Sequence, residues 1–192
     1  MTNAKVNKAR GTEQQPFDLV QRFDGFELRR YPDHILVQVT VTGDFLRAGN
    51  RGFRPLIGYI SGANQTTERI PMTAPVIQEP RGRDQHGEDE HTVSFVLPAG
   101  LDFGSVPVPI NATVSPVAVA GGLVAARIFM GSWNGGKFFD NGEVLIAEVL
   151  REGFTLTGNR YFARFDPPWK PGFLKHNEAL VSVADSRESS VG

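Results

Sequence analysis

The sequence predicts an α+β fold made of a duplicated strand-strand-helix-strand unit, with an antiparallel sheet and two helices. Two observations carry this. Short β-branched runs bounded by Gly, Pro, Asn and Asp alternate with two long segments of helical periodicity, and this order of elements occurs twice with little residue identity between the halves. At 192 residues with 40% hydrophobic content the chain is long enough to bury a full core, so one domain over residues 16–184 is expected. Residues 1–15 and 185–192 are polar and aperiodic and read as disordered arms.

Residues 26–31 alternate apolar and charged side chains, Pro32-Asp33 turns, and residues 35–41 are β-branched with polar interruptions, which reads as a hairpin. From 44 to 60, Phe45, Ala48, Phe53, Leu56, Ile57 and Ile60 recur at three- and four-residue spacing after an N-cap residue, Asp44. This helix is unusual, because Gly49 and Gly52 each lower its propensity by about 1 kcal/mol and Pro55 removes an amide donor. Small residues there let either the sheet beneath or a ligand approach the helix closely.

Two short strands follow at 75–79 and 92–97, joined by a charged, solvent-exposed loop over 81–91. The second half repeats the order: a hairpin of 112–119 and 123–130 about Gly121-Gly122, a helix over 134–151, and strands at 160–165 and 179–183.

Twenty Lys and Arg against 21 Asp and Glu leave a net charge of -1, which offers no overall field for phosphate backbones or anionic lipid. Neither nucleic acid nor a membrane is an expected partner. The first residues, with Lys5, Lys8 and Arg10, contain no apolar run of the signal-peptide kind and no later run spans a membrane, so the expected location is cytoplasmic. The absence of cysteine removes disulfides and thiolate chemistry.

His34, His86, His91 and His176 show no metal-ligand spacing, and His86 and His91 with Glu88, Asp89 and Glu90 read as a solvated acidic loop. No G-x-S-x-G or phosphate-loop pattern occurs, so Gly121-Gly122 and Gly135-Gly136 read as turn glycines and no catalytic residue is expected. Arg47, Arg51 and Arg54 accompany Phe53 and Ile57 along the first helix. Guanidiniums beside apolar surface suit a hydrophobic ligand bearing carboxylates, and they equally suit a solvated polar face.

The run Gly58-Tyr59-Ile60-Ser61-Gly62-Ala63-Asn64, followed by Arg69-Ile70-Pro71-Met72-Thr73-Ala74-Pro75-Val76, closely resembles the signature of the SOUL haem-binding protein family. Tyr31-Pro32, Tyr161, Asp166-Pro167-Pro168-Trp169 and Asn177-Glu178 extend the resemblance over roughly residues 26–183. It implies a distorted antiparallel β-barrel or sheet pair flanked by two helices and related to GyrI-like domains. It also implies haem, or another flat apolar molecule such as a porphyrin, in a shallow apolar groove beside the first helix.

The positions matching that groove include Asn50, Phe53, Ile57 and Gly58, with Arg47, Arg51 or Arg54 meeting the propionates from adjacent turns. Where some relatives place a histidine before the first tyrosine this chain has Arg30, with His34 on the next strand, and Met72 reads as core filling rather than as a thioether ligand.

The expected function is therefore a haem or porphyrin carrier or buffer. The alternative is a hydrolase or isomerase acting on an apolar substrate in the same groove, for which Glu143 or Glu148 on the second helix would serve as the acid or base. A sensor module passing a ligand signal to a partner ranks behind both, since no DNA-binding helix pair is attached. Nothing in the residues sets an oligomeric state.

Overall fold

Asp44 and Asn134 start the two helices for the same physical reason. The Asp44 carboxylate accepts the backbone N–H of Leu46 at 3.1 Å and of Arg47 at 3.0 Å, and the Asn134 side chain accepts that of Lys137 at 3.3 Å, satisfying amides that have no partner within the helix. In this computed structural model, which describes residues 8–9 and 12–185, the elements run β1 (Lys8–Ala9), β2 (Thr12–Gln14), β3 (Asp18–Arg22), β4 (Glu27–Tyr31), β5 (His34–Thr42) and α1 (Phe45–Ile60). They continue with β6 (Thr73–Ala74), β7 (Val76–Arg83), β8 (Asp89–Val96), β9 (Ser115–Val119), β10 (Gly122–Met130), α2 (Gly135–Arg151), β11 (Phe154–Arg164) and β12 (His176–Asp185).

The fold is α+β, with two helices on one large antiparallel sheet that does not close. Its strand order is β3-β4-β10-β12-β11-β7-β8-β5-β9. Both expected hairpins are corrected: β4 pairs with β3 and β10, and β5 pairs with β8 and β9, so the strands on either side of each turn do not pair with each other. Period-2 alternation dictates which face a side chain takes and is silent about which strand lies alongside.

Six strand spacings separate β4 from β5, and six separate β9 from β10. Laid flat, six spacings would span about 29 Å, whereas a two-residue link reaches roughly 11 Å. The sheet must therefore curl until its two ends meet at the links Pro32-Asp33 and Ala120-Gly121. They touch there: Gly121 N donates to Asp33 Oδ1 at 2.7 Å, and a Cβ on Gly121 would lie 2.5 Å from the Tyr31 carbonyl oxygen.

The helices cover the convex face. Leu56, Tyr59 and Ile60 of α1 pack on Val37, Val39, Val93 and Phe95, and Phe138, Leu145 and Val149 of α2 pack on Phe129, Phe162, Ala179 and Val181. Gly52 sits where a Cβ would come within 2.6 Å of Val93, and a Cβ at Gly49 would come within 2.6 Å of Arg164 Nη2. These two glycines let α1 lie directly on the sheet and on a buried guanidinium.

Two further expectations change. Residues 8–9 and 12–14, expected in a disordered arm, form β1 and β2, with β2 pairing in parallel with β6. The rest of that arm and residues 186–192 lie outside the described residues. The charged loop over 81–91 is mostly strand: β7 and β8 pair as far as Arg83 and Asp89, and His91 is buried.

Gly52→Ala is expected to overpack α1 against Val93 and to cost about 1–3 kcal/mol. Gly58→Ala, where a Cβ meets nothing within 4 Å, is expected to stabilise α1 by up to about 1 kcal/mol. Urea unfolding of the two variants checks both signs.

Candidate functional site

Alternation along each strand sends one set of side chains to the helices and the other into the concave face. On β5, Ile35, Val37 and Val39 join the α1 core, while His34, Leu36 and Gln38 face the opposite side. On β12, Ala179 and Val181 join the α2 core, and Leu180 joins a third cluster with Tyr31, Val124, Ala126 and Ala163.

The concave side is thus a trough built by both units, with a volume of about 590 Å³ and walls that include Leu36, Ile77, Val117, Leu123 and Tyr161. A second hollow of about 750 Å³ adjoins it, sharing His34, Gln15, Val119 and Ala120 and extending along residues 96–103.

The polar groups under the trough are paired. Arg29 gives Nη1 to Glu178 Oε2 at 2.7 Å and Nη2 to Glu178 Oε1 at 3.0 Å, Nε to Glu27 Oε2 at 2.9 Å, and Nη1 to the Tyr31 hydroxyl at 3.3 Å. His176 Nε2 lies 2.9 Å from Glu178 Oε1, with its ring stacked on Phe165 at 4.4 Å, and the Phe17 ring covers the Arg29 guanidinium at 4.2 Å. Burial alone would raise the Glu178 carboxyl, but the hydrogen bonds from His176 and Arg29 outweigh it and hold the group below the ordinary range.

Burial pushes the Tyr31 hydroxyl up to about 12 and the Tyr161 hydroxyl higher still, so both stay protonated near neutral pH. His34 is held neutral by burial, and with Nδ1 3.0 Å from the Pro32 carbonyl the ring proton sits there, leaving Nε2 as the ring's acceptor. The chemistry on offer is a trough of mixed apolar and polar walls with neutral hydroxyls, one imidazole nitrogen and a Glu79–Arg81 pair at 3.4 Å, above a Glu178 carboxylate already neutralised by Arg29.

The helix residues singled out from sequence lie elsewhere. Arg47, Asn50, Arg51 and Arg54 are exposed; Arg47 pairs with Asp44 at 3.2 Å, and Arg51 Nη1 donates to the Thr42 carbonyl at 2.8 Å. Phe53 and Ile57 are half-buried one turn apart against the α1 core, with Phe53 5.2 Å from the Phe95 ring. None of the six lines either hollow.

Glu143 and Glu148 lie on α2, paired with Arg160 and Arg127, and line neither hollow. Met72 packs against the α1 core. The trough walls went unread because each strand contributes only every second residue, and His34-Leu36-Gln38 looks like an ordinary solvent face until the sheet curls.

The family profile described as SOUL heme-binding protein matches residues 12–182. Among curated proteins none matches the chain. Three solved structures share the fold. The EcmrR C-terminal domain is 16% identical with a TM-score of 0.58, over 82% of this chain and 96% of that one. A hydrolase from Listeria innocua is 10% identical with a TM-score of 0.56, over 86% and 94%. SAV2435 bound to tetraphenylphosphonium is 11% identical with a TM-score of 0.50, over 86% and 97%.

Because the Glu178 carboxyl is depressed in the folded state, its stabilisation is fully present above the ordinary value of 4.5 and is lost as pH falls through the lower folded value. The wild-type urea midpoint should fall over that acidic range. Glu178→Gln, which removes the bidentate partner of Arg29 and leaves Glu27 as its remaining counter-charge, should cost about 1.5–3 kcal/mol at pH 7 and flatten that part of the profile.

Proposed function

The chain belongs to the SOUL heme-binding protein family, and from that premise we propose that it binds haem or a related tetrapyrrole as a carrier or buffer, with the concave trough as the seat. The observation that carries this reading is the trough itself: a hollow of about 590 Å³ walled by both units of the fold, in which Leu36, Ile77, Val117 and Leu123 supply apolar surface beside a few polar groups, within the usual range for small-molecule sites. Burying a flat macrocycle there would contribute about 25 cal/mol per Å² of apolar area before association costs.

The residues present fit the group. His34 Nε2 would hold the iron, its other nitrogen being fixed by the Pro32 carbonyl, while Leu36, Val117 and Leu123 would cover the ring faces. Iron would supply one further bond; the enclosure supplies the rest of the affinity. The tetraphenylphosphonium held by SAV2435, a bulky aromatic cation on the same fold, supports ligand binding by this architecture in general.

A second seat is the flank of α1, favoured by the adjacent half-buried Phe53 and Ile57 with Asn50, Arg47, Arg51 and Arg54 around them. The enzyme reading is weaker, because Glu143 and Glu148 are paired with arginines away from both hollows.

Titration with hemin and with iron-free protoporphyrin, followed by absorbance and tryptophan quenching, distinguishes these seats. The expected result is saturable 1:1 binding of both, weakened by at least about tenfold in Val117→Glu, which corresponds to about 1.4 kcal/mol, and unchanged in Ile57→Glu. His34→Ala should weaken hemin and shift its Soret band without affecting protoporphyrin. Loss in Ile57→Glu with Val117→Glu unaffected would move the seat to α1, and no saturable binding would overturn the tetrapyrrole assignment.

A further inference from the structure

On the convex side, away from the trough, two buried cations have no counter-charge among the described residues. Arg164, at the end of β11, is 6% exposed and donates Nη2 to the neutral Gln78 Oε1 at 3.0 Å, a single hydrogen bond for a group with five donors. Lys175, 7% exposed, donates Nζ to the Pro168 carbonyl at 2.9 Å. Both cations lie on the same indole: the Trp133 ring centre is 5.1 Å from the Arg164 Cζ and 3.8 Å from the Lys175 Nζ.

The polar need around that indole is not met internally. Trp133 Nε1 is a buried donor without a partner. The nearest acid along the loop, Asp166, is already engaged by Lys170 Nζ at 2.7 Å and the His176 amide at 2.6 Å. Burial pushes the Arg164 guanidinium down to about 10, which still leaves it charged near neutral pH. Cation–π contact offsets part of such a cost, but a buried charge ordinarily acquires an opposite one.

We propose that Arg164, Lys175 and Trp133 Nε1 form a binding site for a compact oxyanion, a carboxylate or phosphate group. Arg164 keeps donors beyond the one given to Gln78, and the ammonium and the indole N–H supply others. The indole is half-buried between exposed Ser132 and Asn134, so the cluster lies just under the surface. Asn134 also begins α2, so the positive end of that helix adds to the field. Gly49 belongs to the site as well, since the absence of a Cβ there is what admits Arg164 Nη2.

Thermal unfolding of the full chain in phosphate, in acetate and in chloride at matched ionic strength tests the site. Wild type should gain roughly 2–4 °C at about five times the dissociation constant of the bound oxyanion, saturably and beyond any chloride effect. The more effective oxyanion identifies the ligand as phosphate or carboxylate. Arg164→Met should melt higher than wild type in anion-free buffer, because an uncompensated charge is gone, and should lose the anion response. Trp133→Phe, which keeps the ring and removes Nε1, should retain the fold and weaken the response. An equal gain in chloride, a full response in Arg164→Met, or a lower anion-free melting temperature for that variant would overturn the proposal.

Discussion

Two links of two residues shape this protein. Pro32-Asp33 joins strands that lie six spacings apart in the sheet, Ala120-Gly121 does the same, and the hydrogen bond from Gly121 N to Asp33 Oδ1 ties the two together. A flat sheet is incompatible with either link. Curling resolves the mismatch, and it gives the sheet an outer face for two helices and an inner face with room for a ligand. Any side chain at Gly121 would drive into the Tyr31 carbonyl and separate the ends.

The inner face is kept apolar by burying its charge in pairs. Arg29 and Glu178 come from β4 and β12, which flank β10, so their bidentate contact spans the central strand of the second unit and neutralises the most deeply buried carboxylate beneath the trough. With Tyr31 and Tyr161 held protonated, His34 neutral and Glu79 paired with Arg81 at 3.4 Å, the trough presents little net charge to a ligand. The convex face is different: there Arg164 and Lys175 stay buried beside Trp133 without a carboxylate among the described residues.

The local elements were legible in the residues. Asp44 and Asn134 capped both helices at the expected positions, and every strand read from alternation is present. What the sequence could not disclose was partnership. The alternation in residues 26–31 and 35–41 is the same whether those strands pair with each other or, as here, with β10 and β9. The trough followed from that hidden pairing, so Leu36, far in sequence from Val117 and Leu123, shared no signal with them. Gly49 and Gly52 did signal a close approach to α1, and the surfaces that approach are Arg164 and Val93.

The claim that the ligand sits between the two units rather than on a helix is tested most directly by paramagnetic broadening of backbone amide resonances with bound hemin. The amides of Leu36, Gln38, Val117 and Leu123 are expected to broaden beyond detection while those of Phe53 and Ile57, on the other side of the sheet, stay sharp. Broadening centred on Phe53 and Ile57, with the trough amides unaffected, would contradict it.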